Sequence, residues 1–316
     1  MTPDSFSRYL DQSDIILSEG AVIERLRRET EWELDPHVVN AAFIYDQEKR
    51  SVLASIYRQY LEVGSASGLP LLLSTPTWRA SRERIKIAGH EEKDVNQDNY
   101  RFLDDLRREY GVYADKVAIC GLMSCRGDAY NPAERLSVEE ARVFHSWQAQ
   151  KLAETGVDFL LASTLPALSE AMGLALAQAA TGKPYIISFV FRPQGTLLDG
   201  TPLKEAVATI DAKVNPKPLA YMCNCTHASI FRSAMAHETH VSSLVRERVV
   251  GLLANTAALE PEELDSSKDL VTEDPEIFGR DVASLHTEFG LKILGGCCGT
   301  DQRHIRSLAS QFTRKP

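Results

Sequence analysis

Cys297 and Cys298 stand side by side in "LKILGGCCGT", residues 291–300, with glycine on both sides of the pair and an apolar run ahead of it. Adjacent cysteines admit three readings: a strained vicinal disulfide, two core thiols, or two metal ligands. The flanking glycines favour the last, because the backbone must fold tightly around an ion. Cys225 ends a second apolar run, "PLAYMCNC" (218–225). If both runs are strands that open on one face of the molecule, three thiols meet there. Three protein ligands with a fourth position open is the arrangement a catalytic zinc uses. Cys223 faces the same side as Cys225 if the strand is regular, so on the residues alone it stays open as an alternative ligand. Cys120 and Cys125 fall on the third candidate strand and read as small buried hydrophobes.

The elements that must position these groups alternate in type. Short apolar runs recur at 14–18, 69–75, 115–124, 157–163, 184–191, 218–225, 249–256 and 291–296, and longer amphipathic stretches separate them. The glycines of "EVGSASG", "ETG" and "EFG" fit helix stops, and Ser137 with Glu140 fits a capping box. Eight β-then-α units in 316 residues predict an α/β fold, a single-domain (β/α)8 TIM barrel over 1–316. There is no Gly-rich first turn of dinucleotide-binding type. Two polar stretches, about 79–113 and 257–281, exceed ordinary loops and read as surface elaborations. In such a barrel, catalytic groups sit at the C-terminal ends of strands, where Cys225 and the 297–298 pair both fall.

Composition narrows the partners. A net charge of −9 argues against nucleic acid and against an anionic membrane surface. No apolar run approaches the ~20 residues of a membrane span. The stretch "MTPDSFSRYLDQSD" lacks a basic-then-apolar signal pattern, so the expectation is a cytoplasmic protein with reduced thiols. Small-molecule partners are the expectation, and a homo-oligomer stays open.

"YMCNCTHAS" and "GGCCGTDQRHI" resemble the Asn-Cys and Gly-Gly-Cys-Cys-Gly-Thr motifs of the homocysteine S-methyltransferase family. "TPTWRAS" (75–81), "STLPALSEA" (163–171), "ISFVFRPQGTLLDGTPLKEAV" (186–207) and "ANT" (254–256) extend the resemblance over nearly the whole chain. The resemblance implies that Cys225, Cys297 and Cys298 bind Zn2+, with an acceptor thiol as fourth ligand. A free thiol is mostly protonated at neutral pH, and zinc deprotonates it. It implies a zinc-dependent methyltransferase in methionine biosynthesis. The methyl group would come from a sulfonium or ammonium donor such as S-methylmethionine, S-adenosylmethionine or a betaine, and pass to a thiol such as homocysteine. At 316 residues, the expectation is a barrel without an attached cobalamin or folate domain. Trp78, Phe189 and Phe191 are candidates to hold the donor cation on their ring faces, and Asn255 and Thr164 are candidate substrate contacts.

The chain departs from the family pattern at two acids implied to hold the amino group of homocysteine. Ser18 stands at the position of the Asp after the first strand, with Glu19 beside it as a candidate substitute. Ser163 stands at the Glu of Glu-Thr-x-Pro. These departures leave two alternatives: alkyl transfer or demethylation with a different thiol, and a non-catalytic zinc- or thiol-binding relative. Among the histidines, "HETH" (237–240) reads as a solvated helix face, His145 as a packing residue, and His304 as an orienting group for the segment after the cysteines. His227 lies nearest the chemistry.

Overall fold

A computed structural model describes residues 3–259 and 272–313. Eight parallel strands close into one barrel in sequence order: β1 (Ile16–Ser18), β2 (Leu71–Ser74), β3 (Val117–Met123), β4 (Phe159–Leu165), β5 (Tyr185–Phe189), β6 (Ala220–His227), β7 (Val249–Asn255) and β8 (Ile293–Gly296). The ring closes through the pairing of Leu17 with Leu294. The eight expected strands are present with altered ends. β3 begins only at Val117, because Gly111–Lys116 is a 3-10 helix, and β6 runs past Cys225 to His227.

Strand alternation builds two cores. Ile16, Leu72, Ala118, Cys120, Phe159, Leu161, Met222 and Ile293 point inward and fill the barrel. Their neighbours Leu17, Leu71, Leu73, Val117, Ile119, Leu160 and Leu294 point outward against the helices. The near-continuous apolar character of the strands follows, since both faces of a parallel barrel are buried. The bottom is plugged by the amphipathic helix Pro3–Gln12, whose Phe6 stacks on Phe159 with ring centroids 3.9 Å apart. With that end closed, the C-terminal rim is the open one.

Ser137 and Glu140 form the expected capping box at the start of helix Val138–Ala153. Gly68 and Gly290 end their helices with φ of 69° and 71°, a conformation glycine adopts without Cβ strain. Gly156 does not cap: a Cβ there would lie 2.1 Å from the Tyr100 hydroxyl, so close packing is its reason. The 79–113 stretch holds two helices, Arg82–Ile87 and Val95–Arg108. Of the 257–281 stretch, 260–271 lie outside the described residues, and helix Pro275–Phe289 already occupies its end. Cys125 is past the end of β3, buried in the layer between strands and helices.

Candidate active site

β6 is not a regular strand, and that decides which cysteine reaches the mouth. Cys223 points outward into the helix-facing core. Strict alternation would send Cys225 the same way. Instead the pairing with β7 slips between Asn224 and Thr226, and Cys225 takes a left-handed φ of 52°. Such a φ is costly outside glycine, and bulges at barrel rims re-aim side chains. The twist turns the Cys225 sulfur into a small cluster with Cys297, Cys298, Tyr130, Val190 and Leu198. The three sulfurs lie within 4.8 Å of one another, and those of Cys225 and Cys297 are 2.9 Å apart.

Asn224 holds the bulge. Its Oδ1 accepts from the Thr164 N–H (2.9 Å) and the Ser188 hydroxyl (2.7 Å), and its Nδ2 donates to Thr164 Oγ1 (2.8 Å) and Cys225 Sγ (3.3 Å). Thr164 is itself left-handed, with φ of 61°, at a register slip in β4. One side chain thus satisfies two strained strand ends. The cysteine pair is fixed by its backbone. Cys297 N–H donates to Ala254 O (2.7 Å), Cys298 N–H to Asn255 Oδ1 (3.1 Å), and Thr300 Oγ1 to Cys297 O (2.6 Å). The Gly299 N–H donates to the Glu24 carboxylate.

The three thiols of the cluster are driven in opposite directions. Hydrogen bonds from Cys297 and Cys298, then from Tyr130 and Asn224, pull the Cys225 thiol well below its usual value against the push of burial. Cys297 and Cys298, each bonded to the Cys225 sulfur, are pushed well above the usual thiol value. Three sulfurs that have only one another's protons between them suit a cation that replaces those protons. Tetrahedral zinc with bonds of about 2.3 Å asks for sulfurs about 3.8 Å apart, within reach of this cluster. The donor set therefore fits zinc.

A cavity of about 250 Å³ opens beside the sulfurs. Of the residues expected there, Glu19, Trp78, Ser163, Thr164 and Asn255 line it together with all three cysteines. Ser18 and Phe189 do not. Ser18 is wedged between strands, its Oγ 3.5 Å from Leu72 O and its Cβ against Gly295. A carboxyl group at the end of β1 is therefore present, one residue later than Ser18, and only at Ser163 does the cavity lack an acid that the resemblance implied. Phe189 points outward and stacks on Tyr221 with centroids 5.8 Å apart, because its place in β5 faces the helices. Phe191 packs on Phe231. Trp78 borders the cavity, but the Arg79 guanidinium already lies 4.4 Å from its ring centre, which disfavours a second cation on that ring.

Glu19 is the deep acid of the cavity. Both carboxylate oxygens accept from the Ser74 N–H at 3.1 Å, and burial raises its pKa from an ordinary 4.5 to about 8. The folded protein thus holds a proton between pH 4.5 and 8 that the unfolded chain releases. Stability from this group is full below about pH 4.5 and is lost as pH rises toward 8. Glu19→Gln keeps an acceptor for Ser74 and removes the titration. The metal-free variant should match the wild type near pH 5 and exceed it by on the order of a few kcal/mol above pH 8. Denaturant unfolding from pH 5 to 9 reads this, and parallel curves for the two proteins would contradict it.

The sequence carries no signal for Tyr130 or Glu24, and it marks Asn224 only as part of the Asn-Cys motif, not as the group that holds the bulge. Tyr130 follows β3, far along the chain from the cysteines, yet its hydroxyl donates to Cys225 Sγ at 3.3 Å. No spacing rule reaches it. The histidines stand back. Residues 237–240 lie in a turn beyond helix Ala228–Met235 rather than in a helix, with the rings of His237 and His240 stacked. His227 caps that helix by accepting from Ser229 N–H. Buried His304 meets Asp301 through Nδ1, 3.0 Å from Oδ1 and 3.1 Å from the backbone nitrogen, and its Nε2 lies 3.0 Å from Glu273 O, tying down the segment after the cysteines.

The fold and site define a (β/α)8 barrel with a three-sulfur centre at the catalytic rim. Residues 16–312 match the family model described as homocysteine S-methyltransferase. The chain belongs to the homocysteine S-methyltransferase family. It is 24% identical over 323 residues to the homocysteine S-methyltransferase of Escherichia coli (strain K12), covering 96% of each chain. It is 22% identical to betaine–homocysteine S-methyltransferase 1 of Bos taurus, covering 96% of this chain and 73% of the relative. The metallated form of the homocysteine methyltransferase MmuM from Escherichia coli superposes with a TM-score of 0.74 at 22% identity, over 96% of this chain and 98% of that one.

Proposed function

We propose that the chain is a zinc-dependent S-methyltransferase that moves a methyl group from a sulfonium or ammonium donor to a thiol such as homocysteine, giving methionine. The observation that carries this is the convergence of Cys225, Cys297 and Cys298 on one side of a cavity that also holds Glu19. Bound zinc would supply the Lewis acidity that keeps an incoming thiol deprotonated at neutral pH. In the transfer, the acceptor sulfur forms a bond to the methyl carbon as that carbon's bond to the donor breaks. The donor keeps the electron pair and becomes neutral, and the thiol proton leaves to solvent.

The chain's own groups bind and orient. Glu19 accepts the acceptor's ammonium, and that positive charge would return Glu19 to its ionised form. Thr164 and Ser163 offer hydroxyls. Asn255 uses its Oδ1 on the cysteine loop, and its amide nitrogen is the group offered to a substrate carboxylate. The stacked Arg79 leaves Trp78 as a wall rather than a cation seat. The barrel, with the two helices that 79–113 adds after β2, is taken as one catalytic domain. Among the described residues no helix is long and apolar enough to cross a membrane. Three reduced thiols suit a reducing, cytoplasmic setting.

Ser163 favours a second reading, in which the preferred thiol carries no ammonium and the reaction is alkyl transfer or demethylation. The test offers homocysteine and amine-free thiols to zinc-loaded protein with S-methylmethionine or betaine as donor. Methionine formation dependent on zinc supports the first reading; turnover confined to amine-free thiols supports the second, and no turnover for any pair leaves a zinc-binding relative. Ser163→Glu should lower the KM for homocysteine about tenfold, the worth of one well-placed charge-assisted bond. An unchanged KM would mean that the amine is not read from this position.

A further inference from the structure

Segment 124–137 leads from the end of β3 to the helix that begins at Val138, and Tyr130 sits midway along it. Both stems of this segment are tied to one side chain. Glu170, on helix Leu168–Ala179, accepts from Arg126 N–H at Oε1 (2.6 Å) and from Leu136 N–H at Oε2 (3.3 Å). Its third partner is His145 Nε2, at 3.1 Å from Oε1. The Glu170 and His145 side chains are each 1% exposed. Burial pushes the Glu170 carboxyl up, but the hydrogen bonds from His145, Arg126 and Leu136 outweigh it and hold the group below its usual range.

The cost of this arrangement is visible. His145 Nδ1 is buried without a partner, so the ring is spent on the single bond to Glu170. A buried polar pair is weak evidence for stability, since well-packed apolar residues often serve as well. What the pair does hold is geometry. Tyr130 donates to Cys225 Sγ at 3.3 Å, one of the three clustered sulfurs, and the groups behind metal ligands tune them.

We propose that Glu170, oriented by His145, is a positioning residue: it anchors segment 124–137 at both stems and so sets the Tyr130 hydroxyl on Cys225. The proposal rests on the cysteine cluster being a metal centre, and cobalt(II) tests the two separately. Cobalt(II) added to reduced metal-free wild type should give an intense sulfur-to-metal absorption. Failure of the wild type to bind cobalt would overturn the metal reading itself. Tyr130→Phe removes a hydrogen bond from the sulfur, so the band should move to longer wavelength, with cobalt affinity down about tenfold. Glu170→Gln should move it the same way, and the double variant should go no further than Tyr130→Phe alone. His145→Gln, which keeps a donor, should stay at the wild-type band, whereas His145→Leu should follow Glu170→Gln and replaces it if that variant does not fold. Shifts that add, or a lowered Tm with the wild-type band, would reduce Glu170 to a structural role and sink the proposal.

Discussion

Cys298→Ala should yield a folded barrel that binds no zinc and transfers no methyl group. The sulfur belongs to a small cluster at the rim, apart from both large cores, so its loss opens no cavity in them. The backbone bonds that shape the loop do not involve the side chain: Cys298 N–H to Asn255 and Thr256 N–H to Cys298 O both remain. The unfolding temperature should therefore stay within a few degrees of wild type. The chemistry has no such reserve. Perturbing a group behind a metal ligand costs about 10- to 100-fold, so removing one of three ligands should cost at least about 100-fold in metal affinity and in kcat/KM. Metal analysis of the purified variant, beside its melting curve and its methyl transfer rate, checks all three statements. One retained equivalent of zinc would show that Cys298 is not a ligand.

The barrel was legible because its signal is repeated eight times and each repeat is local: an apolar run, a helical period, a turn. The cysteines were legible because adjacent thiols between glycines have few other uses. What escaped was set by backbone twist and by contacts across the ring. Alternation along β6 places Cys223 and Cys225 on one side. Only the slip at Asn224/Thr226 and the left-handed Cys225 separate them, and neither has a one-residue signature. The resemblance sets Ser18 at the position of the family's Asp and leaves Glu19 as a candidate substitute; the choice between them is made by the strand end, since β1 stops at Ser18 and Glu19 turns into the mouth. Phe189 fails for the converse reason. It lies on a strand that leads to the mouth, but at a position whose side chain faces the helices. Tyr130 and Glu170 are joined to the site only through a folded segment, and no pairwise spacing encodes that.

Gly295→Ala should destabilise the protein and disable the site together. A Cβ at 295 would lie 2.6 Å from Ser18 Cβ, 2.9 Å from Ser18 O and 3.0 Å from Glu19 O. Two of these are backbone atoms of β1 and its exit, so no rotamer change relieves the contact. β1 is only three residues long and pairs with β8 at the point where the barrel closes. To admit the methyl group, β8 must move off β1. That strains the bond from Gly296 N–H to Glu19 O and shifts the cysteine loop that follows. Overpacking of this kind costs about 1–3 kcal/mol, and backbone atoms on both sides put this site at the upper end. In a chain this long the unfolding temperature should fall by several degrees. The larger effect should be functional, because Glu19 and the cysteines are displaced relative to one another, and a misplacement of about 1 Å costs on the order of 100-fold in rate. Gly68→Ala is the comparison. That glycine is left-handed with open space around it, so it should lose stability from backbone strain while keeping metal affinity and rate. If Gly295→Ala instead matched Gly68→Ala, losing stability but no activity, the close approach of β8 to β1 would not be what registers the cysteines against Glu19.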